Sequence, residues 1–117
     1  MLTTDATARL LTEIATGKAV SPRRSAEMMA LLRRDPFGKS SDPDDQAHGF
    51  SGTALPSGAK LWSKAGWTSE VRHDAAYIEL SDGAKFVLVA FTTDHANERE
   101  IIPSLAHVIV DRFSAIK

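Results

Sequence analysis

No cysteine occurs in these 117 residues. That excludes disulfide scaffolds, thiol nucleophiles and cysteine-bound zinc, and it leaves the compartment unreadable from redox chemistry. Neither sign of charge dominates, since fourteen basic residues face fifteen acidic ones for a formal charge of −1. The chain therefore has no electrostatic footprint for nucleic acid and no polybasic patch for a membrane. Long apolar runs are missing too. The longest, Phe86 to Phe91, is far too short to span a bilayer. Met1 to Thr7 is polar rather than a basic-then-apolar leader, so no signal peptide is visible and a soluble chain is expected.

What remains is ordinary globular composition, 43% hydrophobic and 25% charged. A single domain over residues 1–117 with a real core is expected. Thr4 and Asp5 suit a helix start, with Ala6, Leu10, Leu11 and Ile14 at helical spacing and Gly17 as the stop. Ser21 and Pro22 open a second helix. Met28, Met29, Leu31 and Leu32 form its buried side, and it ends before Asp35-Pro36. The pair reads as a helical hairpin.

Residues 35–58, rich in proline, glycine and aspartate, read as a long surface loop with little regular structure. Three strands follow: Leu61 to Ala65, Ala75 to Leu80, and Lys85 to Thr92, with Gly66 to Glu70 as a turn. Ser81-Asp82-Gly83 is a tight-turn signal, so the last two strands form a hairpin. The third strand is apolar on both faces, as if covered on both sides. Ala96 to Lys117 is an amphipathic helix with Ile102, Leu105, Ile109, Phe113 and Ile116 on one face. Pro103 places its regular start or a kink nearby. The fold class is α+β: a helical hairpin, a long loop, a three-stranded antiparallel sheet and a C-terminal helix.

The string that carries chemistry is Leu55-Pro56-Ser57-Gly58-Ala59-Lys60-Leu61-Trp62-Ser63-Lys64-Ala65-Gly66-Trp67. Its centre, Lys64-Ala65-Gly66, resembles the Lys-Thr-Gly or Lys-Ser-Gly motif of serine β-lactamases and penicillin-binding proteins. The surrounding order agrees over nearly the whole chain. A helical pair and a loop precede the motif strand. Arg72-x-Asp74, the Asp82-Gly83 hairpin, a Val-rich strand and a long last helix follow it.

The resemblance implies a partial β-lactamase/transpeptidase-like fold in which the motif strand walls the active-site cleft. It implies that Lys64 supplies positive charge beside the nucleophile during acyl transfer, and that Gly66 leaves room for substrate. Ala65 and the Trp67 backbone would touch substrate, and Arg72 would be a second carboxylate anchor. No metal or cofactor is implied.

Two departures shape the expectation. The family usually carries a hydroxyl after the lysine, and Ala65 has none, which favours esterase-like relatives over ordinary penicillin recognition. The family nucleophile sits in Ser-x-x-Lys at a helix start, with a Ser-x-Asn or Tyr-x-Asn motif beyond it. Asn97 is the sole asparagine and follows His95 by two residues, so the second motif is absent. Ser57-x-x-Lys60 lies in a turn entering a strand, and Ser114-x-x-Lys117 at the end of the last helix. Both read as coincidences.

The expected function is therefore the C-terminal part of a serine hydrolase without its nucleophile, with a small acyl substrate. Its partner would be a missing N-terminal half or a second copy of the chain. The alternative is a non-catalytic binding or oligomerisation module that uses the cleft wall and a free sheet edge. A fragment with a free sheet edge is expected to form a dimer, since such an edge invites pairing. His73 and Asp74, adjacent on a strand, point to opposite faces. His48 among Asp42, Asp44 and Asp45 reads as part of a solvated acidic loop. Arg23-Arg24 and Arg33-Arg34 read as solvated helix charges.

Overall fold

Thr3, one residue before the expected cap, opens the first helix, α1 (Thr4–Ala15), by accepting the Ala6 N–H at 3.0 Å. The computed structural model describes residues 1–40, 42 and 44–115. Gly17, at φ +80°, ends α1 as expected. Ser21 caps α2 (Pro22–Leu32) through the Arg24 N–H, with Pro22 in the first turn. The hairpin between them is fastened by a residue that sequence periodicity passes over. The buried Ser25 hydroxyl donates to Ala19 O at 2.7 Å and accepts from Ala19 N at 3.0 Å. Ser25, Met29 and Leu32 follow helical spacing on one side, which leaves Leu31 79% exposed rather than buried. On α1, Leu11 is buried and Ile14 half-buried, while Ala6 and Leu10 face solvent.

The sheet has four strands, not three. Its order is β1 (Arg33–Arg34), β2 (Lys60–Trp67), β3 (Val71–Glu79) and β4 (Lys85–Thr93), with every neighbouring pair antiparallel. Two arginines carry no strand pattern, so β1 is invisible to periodicity. Arg34 is half-buried and bonds across the sheet edge, which corrects its reading as a solvated helix charge. Arg23 and Arg24 are indeed exposed and pair with Glu27. Gly66 and Trp67 continue β2 instead of turning, because their register partners His73 and Arg72 extend β3 backwards to Val71. The hairpin after β3 forms where expected: Leu80 N donates to Ala84 O at 2.8 Å and Gly83 N to Leu80 O at 3.0 Å.

Directly paired residues share a sheet face. One face carries Leu61, Ser63 and Ala65 with Ile78, Ala76 and Asp74, and with Phe86, Leu88 and Ala90. Against it packs α3 (Ile101–Ala115), which begins later than expected and holds Pro103 in its first turn. Val110 joins Leu61, Ile78 and Phe86 in the core, and Phe113 stacks on Phe86 at 4.2 Å. Ile116 and Lys117 lie outside the described residues. On the opposite face α1 lies over β3 and β4, which accounts for the half-buried Val87, Val89 and Phe91.

The loop is a surface excursion only in its first part. Phe50 is 0% exposed and joins Ala65, Ala90 and Ile102 in a second core cluster. A 3-10 turn follows at Ser51–Ala54, against α3. Gly52 is required there, because a Cβ would meet Ala47 O at 2.0 Å. The acids of this loop are not simply solvated. Asp44 and Asp45 are half-buried, and Asp45 Oδ1 lies 3.1 Å from His48 Nδ1.

The loop is tied down at Asp74, 1% exposed, whose Oδ2 accepts the Ser51 N–H at 3.0 Å. Its Oδ1 has no hydrogen-bond partner among the described residues. Burial pushes the Asp74 carboxyl above its ordinary range, and the Ser51 hydrogen bonds only oppose the rise.

Two expectations follow from these fastenings. Ser25→Ala removes two buried hydrogen bonds to Ala19, whose N–H and C=O keep Glu13 O and Ser21 N as partners, so urea unfolding should show a loss of about 1 kcal/mol. Because the folded state raises the Asp74 pKa, its contribution to stability falls as pH climbs above the ordinary carboxyl value of 3.8. Asp74→Asn is neutral throughout and should melt above the parent at pH 7, with a gap that narrows towards pH 4. A pH-independent gap in thermal melts would contradict this.

Candidate active-site wall

The outward edge of β2 is covered along part of its length. Arg33 Nη1 donates to Leu61 O at 3.4 Å, and Arg34 donates to Ser63 O through Nε at 3.2 Å and Nη2 at 3.0 Å. Gln46 takes over next. Its Oε1 accepts the Ala65 N–H at 2.8 Å, Arg34 Nη2 at 3.2 Å and Lys64 Nζ at 3.5 Å. Lys64 Nζ also donates to Ala65 O. Backbone groups two residues apart on a strand point the same way, so the Trp67 N–H and C=O face the same outer side as those of Ala65. The covered edge ends where the motif ends.

Lys64 and Gly66 share the sheet face that carries Ala75 and His73, their register partners. A Cβ built at Gly66 meets nothing within 4 Å. The chain's own packing therefore does not demand glycine here, and the space over Gly66 is open. His73 lies against Phe91 at 4.3 Å and accepts the Thr92 N–H at Nδ1, 3.2 Å away.

Ala65, Trp67, Arg72 and Asp74 stand on the other face. The Trp67 ring is 45% exposed and packs on Phe50 at 5.6 Å. Arg72 is 2% exposed. Its guanidinium lies over the Phe50 ring at 3.9 Å, donates to Asp44 Oδ1 at 2.8 Å, and donates to Gly49 O at 3.3 Å. Asp44 also accepts from Arg99 Nε at 3.1 Å, and these two arginines, Arg99 foremost, hold its carboxyl below the usual range.

The sequence-derived set thus divides. Lys64, Gly66 and the backbone of Trp67 meet at the open end of β2, whereas Arg72 is buried behind the sheet with its charge answered internally. Gln46 went unnoticed in the sequence because a lone glutamine in a loop carries no periodic or motif signal. Ser57 is exposed in the turn before β2 and Lys60 begins the strand, so this pair shares no helix. Ser114 lies on α3, and its partner Lys117 is outside the described residues. No helix among the described residues is long and apolar enough to cross a membrane.

Comparison with known proteins places this wall in context. No curated protein matches. Among solved structures, the chain is similar to PBP-A, with TM-score 0.75 and 19% identity, over 94% of this chain and 39% of that one. A mutant of PBP-A solved as an acyl-enzyme complex with penicillin G matches equally. A β-lactamase from Sphaerobacter thermophilus matches with TM-score 0.71 and 24% identity, over 97% of this chain and 41% of that one. The chain thus spans about two fifths of the length of these structures, and at this identity the likeness speaks for the fold. The model of the β-lactamase enzyme family, Beta-lactamase2, matches residues 1–113, and this chain belongs to that family.

Proposed function

We propose that the chain is the C-terminal portion of an acyl-serine hydrolase and supplies the lysine-bearing wall of its active site. The substrate would be an amide, ester or β-lactam. The observation that carries the reading is the open strip at the end of β2. A Cβ at Gly66 would meet nothing within 4 Å, and the Lys64 ammonium stands beside it at the edge.

In this reading substrate lies along the uncovered backbone after Ala65. The Trp67 N–H stabilises the carbonyl oxygen as it gains negative charge, and the Lys64 ammonium lowers the cost of that charge. The serine nucleophile attacks the acyl carbon, the leaving group departs, and water later releases the acid. That serine comes from outside the described residues, in a Ser-x-x-Lys helix contributed by a preceding segment. Ala65 offers no hydroxyl to a substrate carboxylate, which favours esters and other acyl compounds over penicillins. Arg72, expected as a second anchor, takes a positioning role instead, holding the Asp44–Phe50 segment behind the wall.

A second reading rests on a different observation. β4 is the last strand of the sheet, and α3 exposes Leu105 and Val108. An uncovered edge beside apolar helix surface suits assembly with a preceding half or with a second copy.

Intact mass spectrometry tests the first reading. The chain alone should stay unmodified by a reactive penicillin or an activated ester. Mixed with a segment bearing Ser-x-x-Lys, it should support an acyl adduct on that segment. Gly66→Val should leave the melting temperature within about 2 °C, because the space is open, yet abolish the adduct. An adduct on this chain by itself would overturn the assignment of the nucleophile elsewhere. For the assembly reading, light scattering at working concentration should give the mass of a dimer, and a clean monomer would count against it.

A further inference from the structure

Three polar side chains lie buried behind the motif strand, on the face that packs under α3. Ser51, Ser63 and Asp74 are each at most 1% exposed. Ser51 Oγ, Ser63 Oγ and Asp74 Oδ1 meet no hydrogen-bond partner among the described residues. Buried polar atoms in folded proteins are almost always satisfied, by the protein or by ordered water.

The fold gathers these three atoms in one corner. Ser63 pairs with Ala76 across the sheet, and in the next row of the same face Ala65 pairs with Asp74. Ser63 and Asp74 therefore stand on one diagonal of a rectangle whose other two corners are alanines, and their Cβ atoms are about 7 Å apart. Nothing larger than a methyl projects between them. Ser51 enters from the loop, where its N–H donates to Asp74 Oδ2 at 3.0 Å. Burial raises the Asp74 carboxyl, and the Ser51 hydroxyl, lying at that carboxyl, opposes the rise. Phe50, Ala90 and Ile102 pack with Ala65 around this corner and keep bulk solvent out.

A group that bridges two hydroxyls and one carboxyl oxygen has three partners, the number a buried water typically makes. Water also donates to an ionised carboxylate and accepts from a protonated one, so it fits either state of Asp74. A metal ion fits less well, because no group of three metal-binding side chains occurs among the described residues.

We propose that Ser51 Oγ, Ser63 Oγ and Asp74 Oδ1 together hold one internal water molecule. The water joins the loop, β2 and β3 at the residue before Lys64, and so fastens the motif strand from behind. No residue of the acyl-transfer strip takes part, so the site stands or falls independently of the hydrolase reading.

A crystal structure of the full chain locates such a water, and oxygen-17 relaxation dispersion counts the waters held for longer than the protein takes to tumble. The crystal structure should show one water within hydrogen-bond distance of all three oxygens. Ser63→Val puts a methyl in place of the hydroxyl and should lower the count by one. Ala76→Val narrows the same rectangle and should do likewise if the first variant fails to fold. Ser57→Ala, at an exposed turn serine, should leave the count unchanged. A direct bond between Ser63 and Asp74 in the crystal, a cation in place of the water, or an undiminished count in a folded Ser63→Val or Ala76→Val chain would overturn the proposal.

Discussion

A guanidinium with 2% exposure has to be answered inside the protein, and the way Arg72 is answered sets much else in place. Asp44 and the Gly49 carbonyl meet its donors, and Phe50 meets its face. These three residues belong to one stretch of the loop. Fixing them carries Gln46, lying between them, to the outer edge of β2. Arg99 ties the same Asp44 to the approach to α3, so loop, sheet and closing helix share one charge cluster. The interaction is electrostatic in origin, but its consequence is geometric: it decides where the edge of β2 stops being covered.

The two faces of β2 divide the labour that alternation imposes on any strand. Leu61, Ser63 and Ala65 go to the core beneath α3, and Lys64 and Gly66 go to the face shared with α1. A strand that sends a lysine and a glycine to one face is held in place by the packing of its other face. Ala65, small and buried against Phe50, is part of that packing.

Much of this was legible in the sequence where a local rule governs. Ser21-Pro22 marked the start of α2, Ser81-Asp82-Gly83 marked the last hairpin, and Lys64-Ala65-Gly66 marked the motif strand, each through chemistry contained in a few residues. What escaped notice is made by contacts between distant segments. Arg33 and Arg34 become a strand only because β2 is there to pair with them. Phe50 to Gly52 enter the core because Asp74 receives the Ser51 N–H and Ala47 accepts no side chain at Gly52. Trp67 extends β2 because Arg72 extends β3. Arg72 reads in sequence as an anchor for a substrate carboxylate, and only the fold reveals that Asp44 of the chain itself takes that place.

The short β1 has a kinetic meaning. β2, β3 and β4 follow one another along the chain and pair as neighbours, so their contacts close over short loops. Pairing Arg34 with Leu61 instead closes the whole intervening loop for the sake of two residues. The loop is held along its length by Asp44 on Arg72 and by Ser51 on Asp74, so that closure is reached in steps rather than at once. The edge of β2 that leads to Lys64 therefore has on one side a meander closed over short connections and on the other a two-residue strand closed over a long one.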